Sequence, residues 1–145
     1  MIQINFPEPA FRLRETDGMR EIFDPLRKRW LVLTPEEWVR QNLLQWLVQV
    51  QQIPAALIAL EKMIVVADRK RRFDVVVYDR QHAPWLLIEC KAPDILLNDK
   101  VLQQALSYLS KVPAQLLIIS NGQQHLCWQR QEGTLQLIDQ LPPLS

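Results

Sequence analysis

A glutamate and a lysine, Glu89 and Lys91, end an apolar run at residues 85–91. The two-residue alternation of a strand places both charges on one face with Trp85, and places Cys90 on the opposite, apolar face. Charges at the end of such a strand need a partner, a metal ion or water, because burying them unpaired is costly. An ordinary Glu89–Lys91 ion pair at a sheet edge is the alternative explanation.

A third charged residue, Asp74, opens the β-branched run at residues 74–78. If this run and the strand ending at Glu89 form an antiparallel hairpin, Asp74 and Glu89 are neighbours. Two adjacent carboxylates repel each other, and a divalent cation of the Mg²⁺ or Mn²⁺ type relieves that repulsion. Lys91 beside such an ion would orient a water molecule or neutralise developing negative charge. A turn residue at the strand entry is the alternative for Asp74.

The clearest helix start in the chain is at Thr34, which is a good N-cap followed by Pro35 at the first helical position. Glu37 stands three residues after the cap, as in a capping box. Apolar residues then recur at helical spacing as far as Val50, and Pro54 closes the helix region. Residues 1–33 are expected to form a mostly extended arm with one short strand near 30–33.

The remaining elements are mostly strands. Residues 62–66 and 73–78 flank a polar linker that predicts a hairpin turn, and residues 85–88 are typical of a central strand covered on both faces. A second helix is expected from Asn98 or Asp99 to Ser110, then strands at 114–119, 126–128 and 135–138. This order predicts one α/β domain with a mixed sheet, comprising an arm (1–33), a core (34–129) and a C-terminal strand and tail (130–145).

Composition excludes several classes of protein. The 145 residues include 17 Lys and Arg and 16 Asp and Glu, so the net charge is +1 and no strong basic field indicates nucleic acid. Apolar content of 48% is that of a globular protein, and no apolar run has the length of a membrane span. The N-terminus has no signal-peptide pattern, so a cytoplasmic location is expected. His82 and His125 are expected at the surface, and Cys90 and Cys127 in the core.

Cations are concentrated in two places, at residues 27–29 and 69–72. The four consecutive cations Arg69, Lys70, Arg71 and Arg72 are typical of a solvated turn, but they also form a candidate phosphate-binding patch.

Asp74 together with Glu89-Cys90-Lys91 resembles the D…E-x-K signature of the PD-(D/E)XK nuclease superfamily. The longer strings T-P-E-E-W-V-R-Q at 34–41, R-F-D-V-V-V-Y-D at 72–79 and E-C-K-A-P at 89–93 resemble the N-terminal nuclease domain of type I restriction enzyme R subunits and its small standalone relatives. The resemblance extends from about residue 6 to 128. It implies a restriction-endonuclease-like core of a helix, three antiparallel strands, a helix and a further strand.

The resemblance also implies roles for individual residues. Asp74 and Glu89, helped by the carbonyl of Cys90, would hold Mg²⁺ or Mn²⁺, and Lys91 would assist the attacking water. Superfamily members often add an acid from the first helix. We prefer Glu36 for it, because it lies nearer the buried stripe and Glu37 is explained by the capping box. Residues expected to contact substrate are Gln104 and Tyr108, which match a Q-x-x-x-Y element, and Arg40, Arg69, Lys70, Arg71 and Arg72.

The sequence therefore supports two functional hypotheses. The first is a metal-dependent endonuclease domain that hydrolyses phosphodiester bonds in DNA, with a homodimer as one candidate assembly. The second is a catalytically inactive nucleic-acid-binding or assembly module that keeps the nuclease fold. The chain has no G-x-x-x-x-G-K-[ST] motif, so it carries no ATP-driven motor of its own.

Overall fold

The computed structural model describes residues 1–66 and 68–144, and the side chains of Val66, Tyr108 and Leu109 also lie outside the described part. The elements in chain order are β1 (Leu13–Thr16), β2 (Met19–Asp24), β3 (Arg29–Val32), α1 (Pro35–Gln49), a short 3₁₀ helix (Ala55–Leu57), β4 (Ile58–Val66), β5 (Arg69–Tyr78), β6 (Pro84–Cys90), α2 (Asp99–Leu109), β7 (Leu116–Ser120), β8 (His125–Gln131) and β9 (Thr134–Ile138).

Strands β4 to β9 form one six-stranded sheet in sequence order. Every neighbouring pair is antiparallel except β6 and β7, which run parallel because α2 forms the crossover between them. The predicted mixed α/β sheet is therefore confirmed. The central position expected for residues 85–88 is confirmed too, since β6 is an interior strand and Leu86, Leu87 and Ile88 are fully buried.

The two helices cover opposite faces of this sheet. Val39, Leu43 and Leu47 of α1 share a core cluster with Val75 and Ile88. On the other face, hydrophobic residues of α2 pack against a second cluster of sheet residues; the packed helix residues are Leu102, Ala105 and Leu106, and the sheet residues include Val76, Leu87 and Leu117. The end of β6 thus lies between two helices, which is where the chain places Glu89 and Lys91.

Both helices begin where local sequence signals predict. The Thr34 side chain accepts a hydrogen bond from the Glu37 backbone N–H at 3.0 Å, and Pro35 is the first residue of α1. The Asn98 side chain caps α2 in the same way, accepting from the Val101 N–H at 3.0 Å.

The N-terminal segment differs from the extended arm that the sequence predicted. Residues 13–32 form a separate three-stranded antiparallel sheet in the order β1-β2-β3. Asp17 and Gly18 form the two-residue loop between β1 and β2, both with positive φ (51° and 79°). An Asp-Gly pair is the usual signal for such a tight hairpin, because both positions need a left-handed backbone.

The predicted hairpin of β4 and β5 is present, but its turn is much shorter than expected. Val66 pairs with Arg69 and Met63 with Arg72, so the four consecutive cations are in β5 and not in a solvated turn. Arg69 to Arg72 pair in register with β4, while most of the charged side chains stay exposed.

Trp85 is on the opposite face from the one that alternation predicted. It belongs to the same core cluster as its neighbour Leu86, on the α1 face. Val77 pairs with Leu86 while Tyr78 pairs with Pro84, so β6 has one extra residue at Trp85. Such a bulge moves a side chain to the other face of the sheet. The sequence does not reveal it, because the run of apolar residues continues through the bulge.

Candidate functional site

The strand β5 is irregular at Asp74. Phe73 and Val76 both pack in the cluster on the α2 face, whereas Val75 packs on the α1 face, so simple alternation breaks at this position. The pairing with β4 passes from Leu60–Val75 to Lys62–Phe73 without an intervening pair. Irregularities of this kind redirect a side chain out of the regular pleat. Asp74 therefore lies within the strand rather than at its start, but its carboxylate is not held in a regular face of the sheet.

The Asp74 carboxylate is held from two directions. Its Oδ1 accepts a hydrogen bond from Nη2 of Arg40 at 3.1 Å, and its Oδ2 accepts one from the backbone N–H of Cys90 at 2.8 Å. The second bond ties Asp74 to the end of β6, next to Glu89. Because Val75 pairs with Ile88 in an antiparallel register, the expected neighbourhood of Asp74 and Glu89 is confirmed.

Glu89 has an unusual electrostatic environment. Burial raises the pKa of its carboxyl, the charge of Asp74 raises it further, and the net result is a pKa of about 7. Lys91 acts in the opposite direction, with its Nζ at 3.5 Å from Oε1 of Glu89. The Glu89–Lys91 ion pair considered from the sequence is thus present, but it only partly offsets the burial. Raised carboxyl pKa values of this kind are typical of functional sites.

Arg40 is the charged centre of the α1 side. Its guanidinium, only 8% exposed, contacts Glu37 at 2.5 Å, Asp74 at 3.1 Å and Glu36 at 3.2 Å. Burial opposes its charge, but Glu37 and Asp74 outweigh that effect and the pKa of Arg40 rises above its ordinary value. Its Nε is buried without a hydrogen-bond partner among the described residues. Arg40 was predicted to contact substrate, but its guanidinium forms ion pairs with three carboxylates of the protein.

The charge pairing extends from Arg40 to the N-terminal sheet. Glu37 Oε2 accepts from Arg27 Nη2 at 3.1 Å, and Arg27 Nε donates to the fully buried Asp24 at 2.5 Å. We call Asp24, Arg27, Glu37, Arg40 and Asp74 the Arg40 network. It joins β2 to the candidate site through the start of α1. No sequence pattern indicates this role for Arg27, whose side chain is only 13% exposed and is not part of a solvated basic patch.

The two acids at the start of α1 have different roles. Thr34 caps the helix, but the Glu37 carboxylate does not complete a reciprocal capping box, since its oxygens bind Arg27, Arg40 and Gln41. Glu37 is also the more buried of the two, contrary to the helical-wheel prediction. Glu36 is 47% exposed and pairs with Arg40. Its charge contributes to raising the pKa of Glu89, which places Glu36 near the site.

The α2 side of the site is open. Glu89 and Lys91 line a cavity of about 530 Å³ together with Arg71, Gln104 and Lys111. Asp74 is not among its lining residues. Of the predicted substrate-binding residues, Gln104 and Arg71 are therefore brought to the cavity with the two site charges.

The other predicted contacts are more dispersed. Arg69 and Lys70 are exposed on β5, and Nη2 of Arg72 lies 3.1 Å from Glu61 Oε2. The side chain of Tyr108 lies outside the described residues, so its proposed pairing with Gln104 stays a prediction. The Cys90 thiol is buried on the apolar face as expected, and burial raises its pKa well above the ordinary value.

The donor set suits a hard divalent cation. Within residues 1–66 and 68–144, no group of three or more His, Cys, Asp or Glu side chains is arranged to hold a metal ion. Mg²⁺, however, is typically bound through one or two carboxylates, with water completing its shell. Asp74 and Glu89 match that requirement, and a backbone carbonyl such as that of Cys90 is a compatible third oxygen ligand.

One polar pair in the core was missed from the sequence. His125 was expected at the surface, but it is buried, with Nδ1 at 2.7 Å from Ser120 Oγ. Its ring contacts Phe6 edge-to-face at 5.4 Å. Ser120 Oγ also accepts a hydrogen bond from the Gly122 N–H at 3.0 Å. Burial lowers the pKa of His125, which favours the neutral ring.

Comparison with known families finds one family whose model matches most of the chain. Residues 35–142, which include α1 and every strand of the large sheet, match the family model described as type I restriction enzyme R protein N terminus (HSDR_N). The chain belongs to this family. The predicted resemblance to the N-terminal domain of type I restriction enzyme R subunits is thereby confirmed.

One further comparison and a search for membrane-spanning helices gave no match. No curated protein matches the chain at a significant level of similarity. Among the described residues, neither helix is both long enough and apolar enough to cross a membrane.

Proposed function

We propose that this chain is a metal-dependent nuclease domain of the PD-(D/E)XK type that hydrolyses phosphodiester bonds in DNA. The observation that carries the proposal is the meeting of Asp74, Glu89 and Lys91 at the end of β6, beside an open cavity. Membership of a restriction-enzyme family supports the assignment of DNA as substrate. We expect the domain to act in the cytoplasm and, for cutting both strands of a duplex, as a homodimer.

In this proposal Asp74 and Glu89, with the carbonyl of Cys90, hold Mg²⁺ or Mn²⁺. The bound cation supplies Lewis-acid stabilisation of the phosphate and acidifies a water molecule. The raised pKa of Glu89 is consistent with a carboxylate whose natural partner is a cation, because a divalent charge offsets the Asp74–Glu89 repulsion.

Lys91 and Glu36 act on the reacting groups. The Lys91 ammonium, next to Glu89, donates hydrogen bonds to the attacking water or to a phosphate oxygen and stabilises the negative charge of the transition state. Glu36, half-exposed at the edge of the same site, is placed to accept a hydrogen bond from a water molecule. Arg40 fixes the orientation of Asp74 through its hydrogen bond to Oδ1, so it is a positioning residue rather than a substrate contact.

Plasmid nicking in Mg²⁺ or Mn²⁺ tests this function directly. Asp74→Ala and Lys91→Ala should each lower the rate by about 100-fold or more, the usual effect of removing a transition-state contact. Lys100→Ala is a matched control, because Lys100 is exposed on α2 and does not line the cavity. Equal nicking by all four proteins, with folding verified by thermal melting, would refute the proposal.

A non-catalytic DNA-binding or assembly module is the second candidate. It is favoured by the state of Asp74, since both of its oxygens already accept hydrogen bonds and one of them faces the Arg40 charge. Salt-dependent DNA binding without cleavage in Mg²⁺, Mn²⁺ or Ca²⁺, and no effect of Mn²⁺ on thermal stability, would establish this alternative.

A further inference from the structure

The cavity beside α2 has the composition of a nucleotide site. Of the described residues that line it, Arg71, Lys91 and Lys111 are cations and Glu89 is the only acid. The apolar residues of its lining are Ile95, Val101 and Ala105, and Gln104 and Ser107 are polar. A volume of about 530 Å³ is within the range of about 300–1,000 Å³ that is usual for small-ligand sites.

The walls of the cavity are fixed by hydrogen bonds from the large sheet. The Lys91 N–H donates to the Ser120 carbonyl at 2.8 Å, so the end of β6 is tied to β7. The Asn121 side chain donates to the Ile95 carbonyl at 2.8 Å and holds the loop before α2. The cavity is therefore formed before any ligand arrives, as is usual for small-ligand sites.

Lys111 is exposed, and the backbone of the segment around it is anchored. The Arg130 guanidinium donates to three backbone carbonyls around it: those of Ser110 at 3.2 Å, Val112 at 2.9 Å and Ala114 at 3.0 Å. Val112 and Ala114 are fully buried. The segment after α2 is thus held on both sides of Lys111, which presents its ammonium to the cavity from a fixed backbone.

From this arrangement we propose that the cavity binds one unstacked nucleotide of a DNA single strand, with Lys111 and Arg71 contacting the phosphate that flanks the scissile one. The proposal rests on the proposed function for the identity of the polymer. A stacked duplex keeps its bases inside and its phosphates outside, so only a nucleotide removed from the stack can fill a concave site of this size. The apolar residues of the lining then contact the base and sugar, and the cations contact the phosphates of the DNA strand.

Binding measured without divalent metal tests the site independently of cleavage. The probe is a fluorescent dT₁₀ oligonucleotide in EDTA, followed by anisotropy at several salt concentrations. We expect Lys111→Gln to weaken binding and to reduce the slope of log affinity against log salt by about 0.7, the value for one phosphate contact on a single strand. Lys100→Gln, at the start of α2 and outside the cavity lining, should leave both quantities unchanged.

Blocking the cavity provides a second test that removes no charge. Ser107 is exposed on α2 and lines the cavity, so Ser107→Trp should fill the space and weaken dT₁₀ binding without unfolding the domain. Wild-type protein should also bind dT₁₀ more tightly than a ten-base-pair duplex.

The two proposals fail in different ways. Wild-type affinity and salt slope in Lys111→Gln, or undiminished binding by Ser107→Trp, would overturn the nucleotide site even if plasmid is nicked. Loss of binding in these variants without any nicking by wild type would support the site and refute the nuclease.

Discussion

On the α1 side of Glu89 the charged groups are paired with one another and withdrawn from water, whereas on the α2 side they face an open cavity. Arg40 is 8% exposed and contacts three carboxylates, while the cavity has three cations and one acid. The first arrangement fixes the position of Asp74, and the second surrounds an open cavity with charged side chains from the described part of the chain. The α1 side thus holds Asp74 in position, and the α2 side is the one that can contact a ligand. Substitutions on the α1 side should mainly lower stability, and substitutions on the α2 side should mainly weaken binding.

The strongest test of this contrast is removal of the Arg40 charge. Arg40→Gln leaves the partly buried Asp74 without its cation and Glu37 with Arg27 alone, so it should lower the free energy of unfolding by about 3–5 kcal/mol. Arg14→Gln is the control, since Arg14 pairs with Glu21 at 2.7 Å but is 44% exposed, and it should cost about 1 kcal/mol or less. Urea denaturation measures both values. Similar losses for the two variants would contradict the distinction between closed and open sides.

Glu89, at the boundary between the two sides, should make stability depend on pH. Its pKa of about 7 lies above the ordinary value of 4.5, so the folded state holds the proton more tightly than the unfolded chain. The penalty for ionising Glu89 develops as the pH rises from about 4.5 to 7 and then stays constant.

The variant Glu89→Gln removes that penalty. In EDTA it should be more stable than wild type by about 2–3 kcal/mol at pH 8, with the gap closing towards pH 4.5. Denaturation at a series of pH values measures this gap, and a gap that is constant with pH would contradict the raised pKa.

The helix caps allow a comparison of smaller effects on the two sides. Thr34→Ala and Asn98→Ala each remove one side-chain acceptor at a helix start and should each cost about 1 kcal/mol of unfolding free energy. Thr34→Ser keeps the hydroxyl and should restore most of the stability. If Thr34→Ala costs much more than Asn98→Ala, the start of α1 depends on the Arg40 network as well as on its cap.

The smallest effect on stability is expected from the cavity lysine. Lys111 is exposed, so Lys111→Gln should change the free energy of unfolding by less than about 0.5 kcal/mol. Thermal or urea unfolding measures the change. A large loss of unfolding free energy would show that Lys111 stabilises the end of α2, and would group it with the paired charges of the α1 side.

The features predictable from sequence are those with local causes. Thr34 and Asn98 cap helices through bonds to residues three positions away, and the apolar period of each helix follows from its own segment. The neighbourhood of Asp74 and Glu89 was also predictable, because a hairpin register follows from two adjacent strands. The Asp17-Gly18 loop has an equally local signal, so the N-terminal sheet was within reach of the same reasoning.

The features that escaped prediction have distant or silent causes. The partners of Arg40 come from both the start of α1 and β5, and Arg27 joins them from the loop before β3, so no spacing rule connects these charges. The extra residue at Trp85 leaves the apolar run unbroken, although it reverses the side chain. His125 pairs with Ser120 across two strands, and a lone histidine in a sequence gives no indication of such a partner.

The hydrogen bond from the Cys90 backbone N–H to Asp74 makes hydrogen exchange at this amide a measure of where the carboxylate lies. This N–H donates to a side-chain carboxylate at 2.8 Å rather than to a strand carbonyl. Its hydrogen therefore exchanges with bulk water only when that carboxylate turns away, and a single amide signal records how often it does so. Ligands that hold Asp74 in place should slow this exchange, and ligands that draw the carboxylate outward should accelerate it. The exchange rate of this one amide proton therefore reports the position of the Asp74 carboxylate.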